Sequence, residues 1–490
     1  MTLGEPLRSN MPVAPFMIES DNWQSPPSIP SPAKATQVLI LGAGMAGLAA
    51  GYELMNRGYD VRIIETRDTA GGRVQTLRDG FSQGTYADAG ATFLPMEHGL
   101  TMYYARLMNL DLAEFSGSEL PSVYYVKGRR IAYSPGTAID WPYVLTAAEQ
   151  KMGLAGMQQT YDSPPSSLGP PVMSAVDAAE LEIDDAASLN EFMRTQGASA
   201  GAIELLNVGF NQLLGDGPSR YSAAMMLISD HYITRNVLNG QPDLKKIEGG
   251  NDLFPKALAA KLGSRIGYST EVVQIAQDES GAQVTCRDKD GQHDVRADYI
   301  ICTLPFGVLR DIPVTPAFSS FKSDAVRNLL YTSVTRIFLQ MREQFWRPHG
   351  QSGLIVSDEP MTMVFPGYDP PSQPGVLGVY LAAGNADRIG ALDVDKQIDF
   401  ALSQIELVYP EVRQNFIAGV SKVWDADPFA KGAYAWFGPA QMSSLLPAVA
   451  APEGRIFFAG DHASTLPGWI QGAIASGLRA AVDIAAAASK

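Results

Sequence analysis

A glycine-rich turn near the start of the chain is the feature that most constrains the fold. The apolar run from Val38 to Leu41 is typical of a buried strand, and the pattern from Met45 to Arg57 predicts a helix. The turn between them matches G-x-G-x-x-G at Gly42, Ala43, Gly44, Met45, Ala46 and Gly47. The first glycine permits the tight turn, the second lets a pyrophosphate approach the backbone, and the third lets helix and strand pack closely. This context favours dinucleotide binding over a strand–helix turn with a purely structural role.

The segment after this helix supports the same prediction. A second apolar run, Val61 to Ile64, ends at Glu65, where a carboxylate can accept a hydrogen bond from a ribose hydroxyl. A strand, a glycine turn, a helix and a strand within about 30 residues form a βαβ unit with a parallel sheet.

A double glycine followed by an arginine, Gly71-Gly72-Arg73, comes shortly after Glu65. This arginine would give the pyrophosphate a second contact with a fixed positive charge, which an NAD site does not need. The pattern therefore favours FAD as the cofactor. A surface turn with a solvated arginine is the alternative that the spacing leaves open.

The composition excludes several classes of function. The chain has 490 residues, 46% of them hydrophobic and 18% charged, which suits a large buried core in two to four folding units. A formal net charge of −15 argues against nucleic acid and anionic membrane surfaces as partners. Only two cysteines, Cys286 and Cys302, exclude a disulfide framework, and the scattered histidines predict no metal site. No stretch resembles a secretory signal or a membrane span, so we expect a cytoplasmic protein.

The chain changes character along its length. Residues 1–35 are rich in Pro, Ser and Asn and predict an extended arm, whereas residues 97–245 have apolar spacings typical of helices. Within that region, residues 163–185 predict a surface excursion or a linker. Beyond Gly249, runs of β-branched residues predict strands, and a last helix is expected from about Ile470.

Three motifs in order resemble those of the flavin-containing amine oxidase family, which includes monoamine, polyamine and L-amino acid oxidases. The first comprises GAGMAGLAAGYEL, ETRDTAGGRV and the segment beginning at Asp88. The second is EGGNDLFPKAL, followed by Glu271-Val272-Val273, and the third is RIFFAGDHASTLPGWIQGAIASGLRAA. The resemblance spans nearly the whole chain, from about Gln37 to about Asp483.

The resemblance implies an α/β fold with a Rossmann-like FAD-binding domain, an interleaved substrate-binding α+β domain and a helical insertion. The motif positions predict an FAD-binding domain made of residues 36–95, 246–310 and 425–490. Residues 96–245 and 311–424 would form the substrate-binding domain, which includes the mostly helical region.

The resemblance also implies which residues contact FAD. It assigns Val272 to the adenine and Gly460 and Asp461 to the ribityl and phosphate region. The isoalloxazine ring is assigned to Gly468, Trp469 and Ile470. With the glycine motif and Glu65, the expected FAD contacts are completed by Gly72, Arg73, Gly90, Ala91 and Thr92. Ala433 stands where covalently flavinylated monoamine oxidases carry cysteine, so FAD is expected to be bound non-covalently.

Two aromatic residues are expected to face the substrate. Tyr434 and Trp469 match the pair that holds the amine in monoamine oxidases, and an electron-rich cage suits a cationic or neutral amine. The alternative is that both rings simply pack in the core. Phe93 stands where L-amino acid oxidases carry an arginine that forks onto the substrate carboxylate. Tyr380 is the only candidate for the tyrosine that often assists that arginine.

The missing arginine leaves the substrate class open. Either the substrate lacks an α-carboxylate, or Arg220, Arg235 or Arg310 takes that role. Against the first reading, the motif around Trp469 is closer to L-amino acid oxidases than to monoamine oxidases. The family's lysine beside flavin N5 is also missing after the strand Ile300 to Leu304, where Arg310 either substitutes for it or lies on the surface. The predicted catalytic residues are therefore Tyr434, Trp469, Phe93 and Arg310.

The reaction implied is oxidative deamination of an amine or L-amino acid by hydride transfer to flavin N5. The imine formed gives a carbonyl product and ammonia, and O2 gives hydrogen peroxide. A dehydrogenase or desaturase of the same fold with an acceptor other than O2 is the alternative, motivated by the missing lysine. A third hypothesis is a flavoprotein that acts as a binding partner and has no catalytic activity. The expected partners are a small amine or L-amino acid and O2, with homodimerisation left open, and the acidic exterior would attract cationic amines.

Overall fold

A computed structural model describes residues 23–82, 84–114, 120–162, 185–227, 244–367 and 374–489. Residues 1–22 of the expected arm, and nearly all of the expected surface excursion, lie outside these ranges. The described end of the arm docks on the body of the protein. Arg57 Nε donates to the Ile29 carbonyl at 3.2 Å, Tyr59 Oη donates to the Pro30 carbonyl at 3.1 Å, and Ile29 is buried.

A five-stranded parallel sheet forms the centre of the nucleotide-binding half of the molecule. In spatial order its strands are Ile266–Gly267, Asp60–Ile64, Gln37–Leu41, Tyr299–Cys302 and Ile456–Phe458. The last three strands in this order are almost wholly buried, as expected for a parallel sheet covered on both faces. The sheet joins residues from the start, the middle and the end of the chain.

The helix that follows the first strand confirms the predicted βαβ unit. It runs from Met45 to Asn56 and returns to the strand Asp60–Ile64. A Cβ at Gly47 would lie 2.1 Å from the carbonyl oxygen of Gly42, so only glycine allows this approach of helix and turn. The C-terminal helix Ile470–Ala488 shares the same apolar core, through residues such as Ile474 and Leu478.

A mixed seven-stranded sheet forms the other large layer. In spatial order its strands are Phe416–Val423, Val334–Met341, Val376–Ala382, Met363–Pro366, Ile355–Ser357, Ser122–Val126 and Arg129–Tyr133. The helices Ala383–Gly390 and Val394–Glu406 share an apolar cluster with Ile337 and Leu339 on one face of this sheet. The opposite face carries Arg336 and Phe338, because side chains alternate along a strand.

Smaller sheets complete the β structure. A four-stranded sheet has the order Gly291–Ala297, Ala282–Asp288, Glu271–Gln277, Val314–Thr315. A three-stranded sheet has the order Leu94–Pro95, Leu244–Ile247, Leu112–Glu114. Two short pairs join Leu330–Tyr331 to Ala435–Trp436 and Thr76–Leu77 to Ala87–Asp88.

The remaining helical segments lie mostly around these sheets. The α-helices are Gly99–Leu107, Ala147–Met157, Leu189–Thr195, Ala200–Leu206, Leu253–Leu262, Phe306–Leu309, Ser320–Asn328, Val412–Asn415 and Gln441–Ala450. Short 3₁₀ turns are Phe210–Leu213, Gly263–Arg265, Arg347–His349 and Asp461–Ala463, and a π-helical turn is Gln158–Asp162. In the part of the chain that is described, no helix combines the length and apolarity needed to cross a membrane.

The sequence prediction for residues 97–245 was incomplete. The region contains helices, but it also contributes the hairpin Ser122–Val126 and Arg129–Tyr133 to the seven-stranded sheet. Lys127 and Gly128 both have positive φ (48° and 72°), as in the two-residue turns that match the twist of a hairpin. Helical spacing in the surrounding segments hid this short hairpin.

Candidate active site

A large cavity of about 740 Å³ lies at the carboxyl ends of the parallel strands. Gly42, Glu65 and Thr303, which directly follow three of those strands, line it, as does Gly460, two residues after a fourth. Ligands of open α/β sheets bind at this edge of the sheet. The opposite wall comes from the seven-stranded sheet and the turns before Tyr221, so the cavity joins the two layers of the molecule.

The glycine turn shapes one end of the cavity. The helix Met45–Asn56 begins at Gly44, which has no side chain to accept from the first N–H groups of the helix. A Cβ at Gly44 would meet nothing within 4 Å, so the space in front of the helix N-terminus is open. Such a terminus favours an anion through its N–H groups and its dipole.

Glu65 lies beside this turn and is buried. Its two carboxylate oxygens accept from the Ala43 N–H at 2.8 Å and the Arg67 N–H at 2.9 Å. Burial raises the pKa of Glu65 above its ordinary value, although these backbone N–H groups act in the opposite direction. The carboxylate lines the cavity and keeps lone pairs that can accept from a hydroxyl group of a ligand.

Arg73 connects the glycine-rich segment with the C-terminal motif. Its guanidinium forms an ion pair with Asp461, with Nη1 3.2 Å from Oδ2, and Nη1 also donates to the Ala433 carbonyl at 2.7 Å. Asp461 accepts in addition from the Gly468 N–H at 2.9 Å. Burial alone would raise the pKa of Asp461, but Arg73, His462 and the Gly468 N–H together hold it below its ordinary value.

Most of the predicted FAD-contacting residues line the cavity. They are Gly42, Gly44, Met45, Ala46, Glu65, Gly72, Arg73, Gly90, Ala91, Thr92, Val272, Gly460, Asp461, Gly468, Trp469 and Ile470. Ala43 and Gly47 stand behind the lining. Ala43 is fully buried and orients Glu65 through its N–H, and Gly47 provides the close approach of helix and turn.

The other end of the cavity is aromatic. Tyr434, Trp469 and Phe93, the three aromatic residues that the sequence predicts to face the substrate, all line it. Tyr434 Oη donates to the Leu213 carbonyl at 2.6 Å, and the Phe93 ring meets the Phe365 ring edge-on at 5.5 Å between centroids. Trp469 meets the buried His98 ring at 5.2 Å, and burial lowers the pKa of His98 to about 3, so that ring is neutral.

Arg310 is the predicted catalytic residue that the structure places elsewhere. Its Nε donates to the Val326 carbonyl at 2.6 Å and its Nη2 donates to the Leu329 carbonyl. Arg310 therefore caps the C-terminal end of the helix Ser320–Asn328, where carbonyls lack helical partners, and it is not part of the cavity wall. Of the other proposed cations, Arg220 pairs with Asp216 on the surface, and Arg235 lies outside the described residues.

Arg336 is a buried cation of the cavity wall that the sequence did not single out. It belongs to the strand Val334–Met341, in which every residue is buried, and it lines the cavity. Its cross-strand partner is Tyr380, whose ring centroid lies 4.6 Å from the guanidinium carbon. A charged residue within the apolar run RIFL was the available signal, because such residues seldom occur in a buried strand without a function or a partner.

The comparisons with known proteins agree with this site. The family described as flavin containing amine oxidoreductase matches residues 45–485, so the chain belongs to that family. It is therefore a flavoprotein oxidoreductase that acts on amine groups, and the resemblance seen in the sequence is confirmed.

Curated relatives match over almost the full length. An L-amino-acid oxidase of Demansia vestigiata is 29% identical over 467 residues, covering 93% of this chain and 87% of the relative. A putative L-amino-acid oxidase, YobN, of Bacillus subtilis is also 29% identical and covers 91% of this chain and 94% of the relative.

Solved structures confirm the fold class. Putrescine oxidase bound to putrescine superposes with a TM-score of 0.76 at 22% identity, covering 92% of this chain and 99% of that one. Cyclohexylamine oxidase from Brevibacterium oxydans gives a TM-score of 0.76 at 22% identity, covering 93% and 99%. At this identity the two structures establish the shared α/β fold.

Proposed function

We propose that the protein is an FAD-dependent oxidase that deaminates an amine or an L-amino acid and reduces O2 to hydrogen peroxide. One observation carries this proposal. A single cavity connects a dinucleotide-type turn, with Glu65 and Arg73, to an aromatic chamber that contains Tyr434 and Trp469. A flavin bound along such a cavity would have one end among phosphate-binding groups and the other beside an amine.

The residues present fit FAD. The open space at Gly44 and the uncapped N-terminus of the helix Met45–Asn56 suit a pyrophosphate, and Glu65 suits a ribose. Arg73 supplies a fixed positive charge, and Val272 lines the cavity at the end assigned to adenine. FAD, when bound, supplies the acceptor for the two electrons removed from the carbon–nitrogen bond.

The residues around Ala433 support non-covalent attachment. Ala433 lines the cavity and has no nucleophile. Both cysteines, Cys286 and Cys302, are buried in strands and do not line the cavity, and burial raises the pKa of each thiol to about 11. Neither cysteine is therefore placed or ionised to attack a flavin.

The aromatic chamber would orient the amine and exclude water. Its wall also includes the Tyr221 ring and the apolar side chains Leu213, Leu214, Met225, Met226 and Phe365. Burial raises the pKa of both Tyr380 and Tyr434, so each hydroxyl keeps its proton and neither serves as a base at neutral pH. An amine in this chamber is favoured in its neutral form because burial penalises a charged one.

We assign FAD binding and substrate binding to separate ranges of the chain, following the positions of the motifs. Residues 36–95, 246–310 and 425–490 would bind FAD, and residues 96–245 and 311–424 would bind the substrate. Tyr434, Trp469 and Phe93 would contact the substrate. The O2 acceptor, homodimerisation and a cytoplasmic location stay predictions.

A peroxide-coupled screen tests the proposal. The purified protein should be yellow, and its flavin should bleach when an active substrate is added without oxygen. Each L-amino acid is assayed beside the amine obtained by removing its carboxylate. Peroxide formed in equal amount to the oxygen consumed supports an oxidase. Flavin bleaching with no oxygen uptake would instead support the dehydrogenase, and a colourless protein that FAD cannot reconstitute would refute both.

A further inference from the structure

Arg336 is a buried cation, and part of its hydrogen-bonding capacity is unused within the described residues. Only 3% of its surface is exposed, and its Nη1 donates to Thr92 Oγ1 at 3.2 Å. Among the described residues, none accepts a hydrogen bond from its Nε. A buried donor without an acceptor costs free energy, and the cost is larger for a charged group.

No carboxylate of the described chain forms an ion pair with Arg336. Asp88 is near enough to act on it through space, but its ion pair is formed with Lys246. Asp88 accepts from Thr76 Oγ1 at 2.6 Å and from the Asn251 N–H at 3.0 Å, and it lies 3.2 Å from Lys246 Nζ. Burial lowers the pKa of Arg336, yet a guanidinium remains charged at neutral pH.

Aromatic rings hold the guanidinium in place. Its carbon lies 4.6 Å from the Tyr380 ring centroid and 5.0 Å from that of Phe338. Tyr380 is the antiparallel partner of Arg336 in the sheet, and the Tyr380 and Tyr434 hydroxyls share a hydrogen bond. The cation therefore lies in the aromatic chamber, next to the segment Thr92-Phe93, and these rings and the Thr92 hydroxyl fix its orientation.

We propose that Arg336, assisted by Tyr380, binds the α-carboxylate of the substrate, so that the substrate is an amino acid and not a simple amine. This inference rests on the proposed function and specifies the substrate class of the same site. A planar guanidinium with an unused Nε–H can fork onto a carboxylate, and the pairing would satisfy both buried groups. L-Amino acid oxidases carry the carboxylate-binding arginine at the position of Phe93. Here the strand Val334–Met341 would supply the arginine instead.

The first test measures carboxylate binding without turnover. Benzoate is titrated into the flavin-loaded protein, and its binding is followed by the change in the flavin absorption spectrum, with neutral benzamide as the matched probe. Arg336→Met should weaken benzoate binding on the order of 100-fold and leave benzamide unchanged. Arg336→Lys should lose about tenfold, because an ammonium keeps the charge but not the fork.

The second test compares L-phenylalanine with phenethylamine, which differ by the carboxylate alone. Arg336→Met should raise the KM for L-phenylalanine on the order of 100-fold and leave the KM for phenethylamine nearly constant. Tyr380→Phe keeps the ring beneath the guanidinium but removes a hydroxyl that would turn from Tyr434 to the carboxylate when the substrate binds. It should show the same selectivity with a smaller, about tenfold effect.

Folding is checked on the same variants. An arginine with a purely structural role would lower the melting temperature when removed, whereas removal of an unsatisfied buried charge should leave it unchanged or raise it. Equal benzoate binding by wild type and Arg336→Met, or an equal loss for both substrates, would overturn the proposal. Failure of every amine and amino acid to react would refute the proposed function instead, and the benzoate titration would still decide the role of Arg336.

Discussion

Arg73 and Asp461, 388 positions apart in the chain, form an ion pair at the wall of the cavity. Asp461 is buried, and about a fifth of the Arg73 side chain is exposed. The pair joins the segment after the first βαβ unit to the C-terminal motif, and Arg73 also binds the Ala433 carbonyl beside Tyr434. A single guanidinium thus ties together the two proposed ends of the flavin site.

Replacement of this guanidinium should weaken both the fold and flavin binding. In Arg73→Met the Asp461 carboxylate stays buried and keeps only the Gly468 N–H and the nearby His462, which should cost roughly 3 kcal/mol of unfolding free energy. The variant should also purify with little flavin. Denaturant unfolding and the visible absorbance of the purified protein measure the two effects.

The control for this variant is Arg413→Met. Arg413 pairs with Asp399 and Glu406 on the surface, where solvent screens the ion pairs, so its removal should change stability little and flavin content not at all. Equal behaviour of the two variants would contradict the role given to the Arg73–Asp461 pair.

Two glycines of the motif separate the packing of the helix against the turn, at Gly47, from the approach of FAD to the turn, at Gly44. At Gly44, φ is −77° and a Cβ meets nothing, so Gly44→Ala should fold normally. Its methyl group would enter the space proposed for the pyrophosphate and weaken FAD binding at least tenfold. At Gly47 the added Cβ would lie 2.1 Å from a backbone oxygen, so Gly47→Ala should destabilise the fold itself.

These two variants are compared by circular dichroism, melting temperature and FAD titration. Gly384→Ala is the matched control, because a Cβ there also meets nothing within 4 Å but Gly384 is not part of the cavity lining. Unchanged FAD affinity in Gly44→Ala would count against a pyrophosphate at this position.

The mode of flavin attachment gives a third prediction. Because Ala433 offers no nucleophile and the two cysteines are absent from the cavity wall, acid precipitation should release all of the flavin into the supernatant. Absorbance of the supernatant and of the pellet measures the distribution. Flavin that stays with the denatured pellet would show a covalent bond and refute this assignment.

The sequence predicted well those parts of the site that depend on local chain geometry. The turn at Gly42, its helix and the helix from Ile470 follow from glycine spacing and apolar periodicity, which act within a few residues. The run RIFL marks Arg336 as unusual, but its place in the cavity wall does not follow from local sequence, because it depends on pairing with Tyr380 and on burial of both faces of its strand. Arg310 was misplaced because its position after a strand did not reveal the helix end that it caps.

Lys322 is a buried lysine outside the cavity, and its burial changes its pKa. It is fully buried on the helix Ser320–Asn328, its Nζ donates to the Val449 carbonyl at 2.9 Å, and Nζ lies 3.6 Å from the Phe458 ring centroid. Burial lowers the pKa of Lys322 to about 7, although Glu453 and Cys302 oppose this shift. The folded protein therefore releases this proton at a lower pH than the unfolded chain does.

The pH dependence of stability should reveal this lysine. Between about pH 7 and the ordinary lysine pKa, the unfolded chain binds the proton and the folded protein does not. The free energy of unfolding should therefore rise with pH, by up to about 1.4 kcal/mol per pH unit. Lys322→Met should be more stable than wild type by roughly 1–3 kcal/mol at pH 7, and the difference should shrink toward pH 10. Denaturant unfolding of both proteins across this range measures it, with the exposed Lys396→Met as the control. Parallel curves for wild type and Lys322→Met would show that Lys322 does not carry the pH dependence.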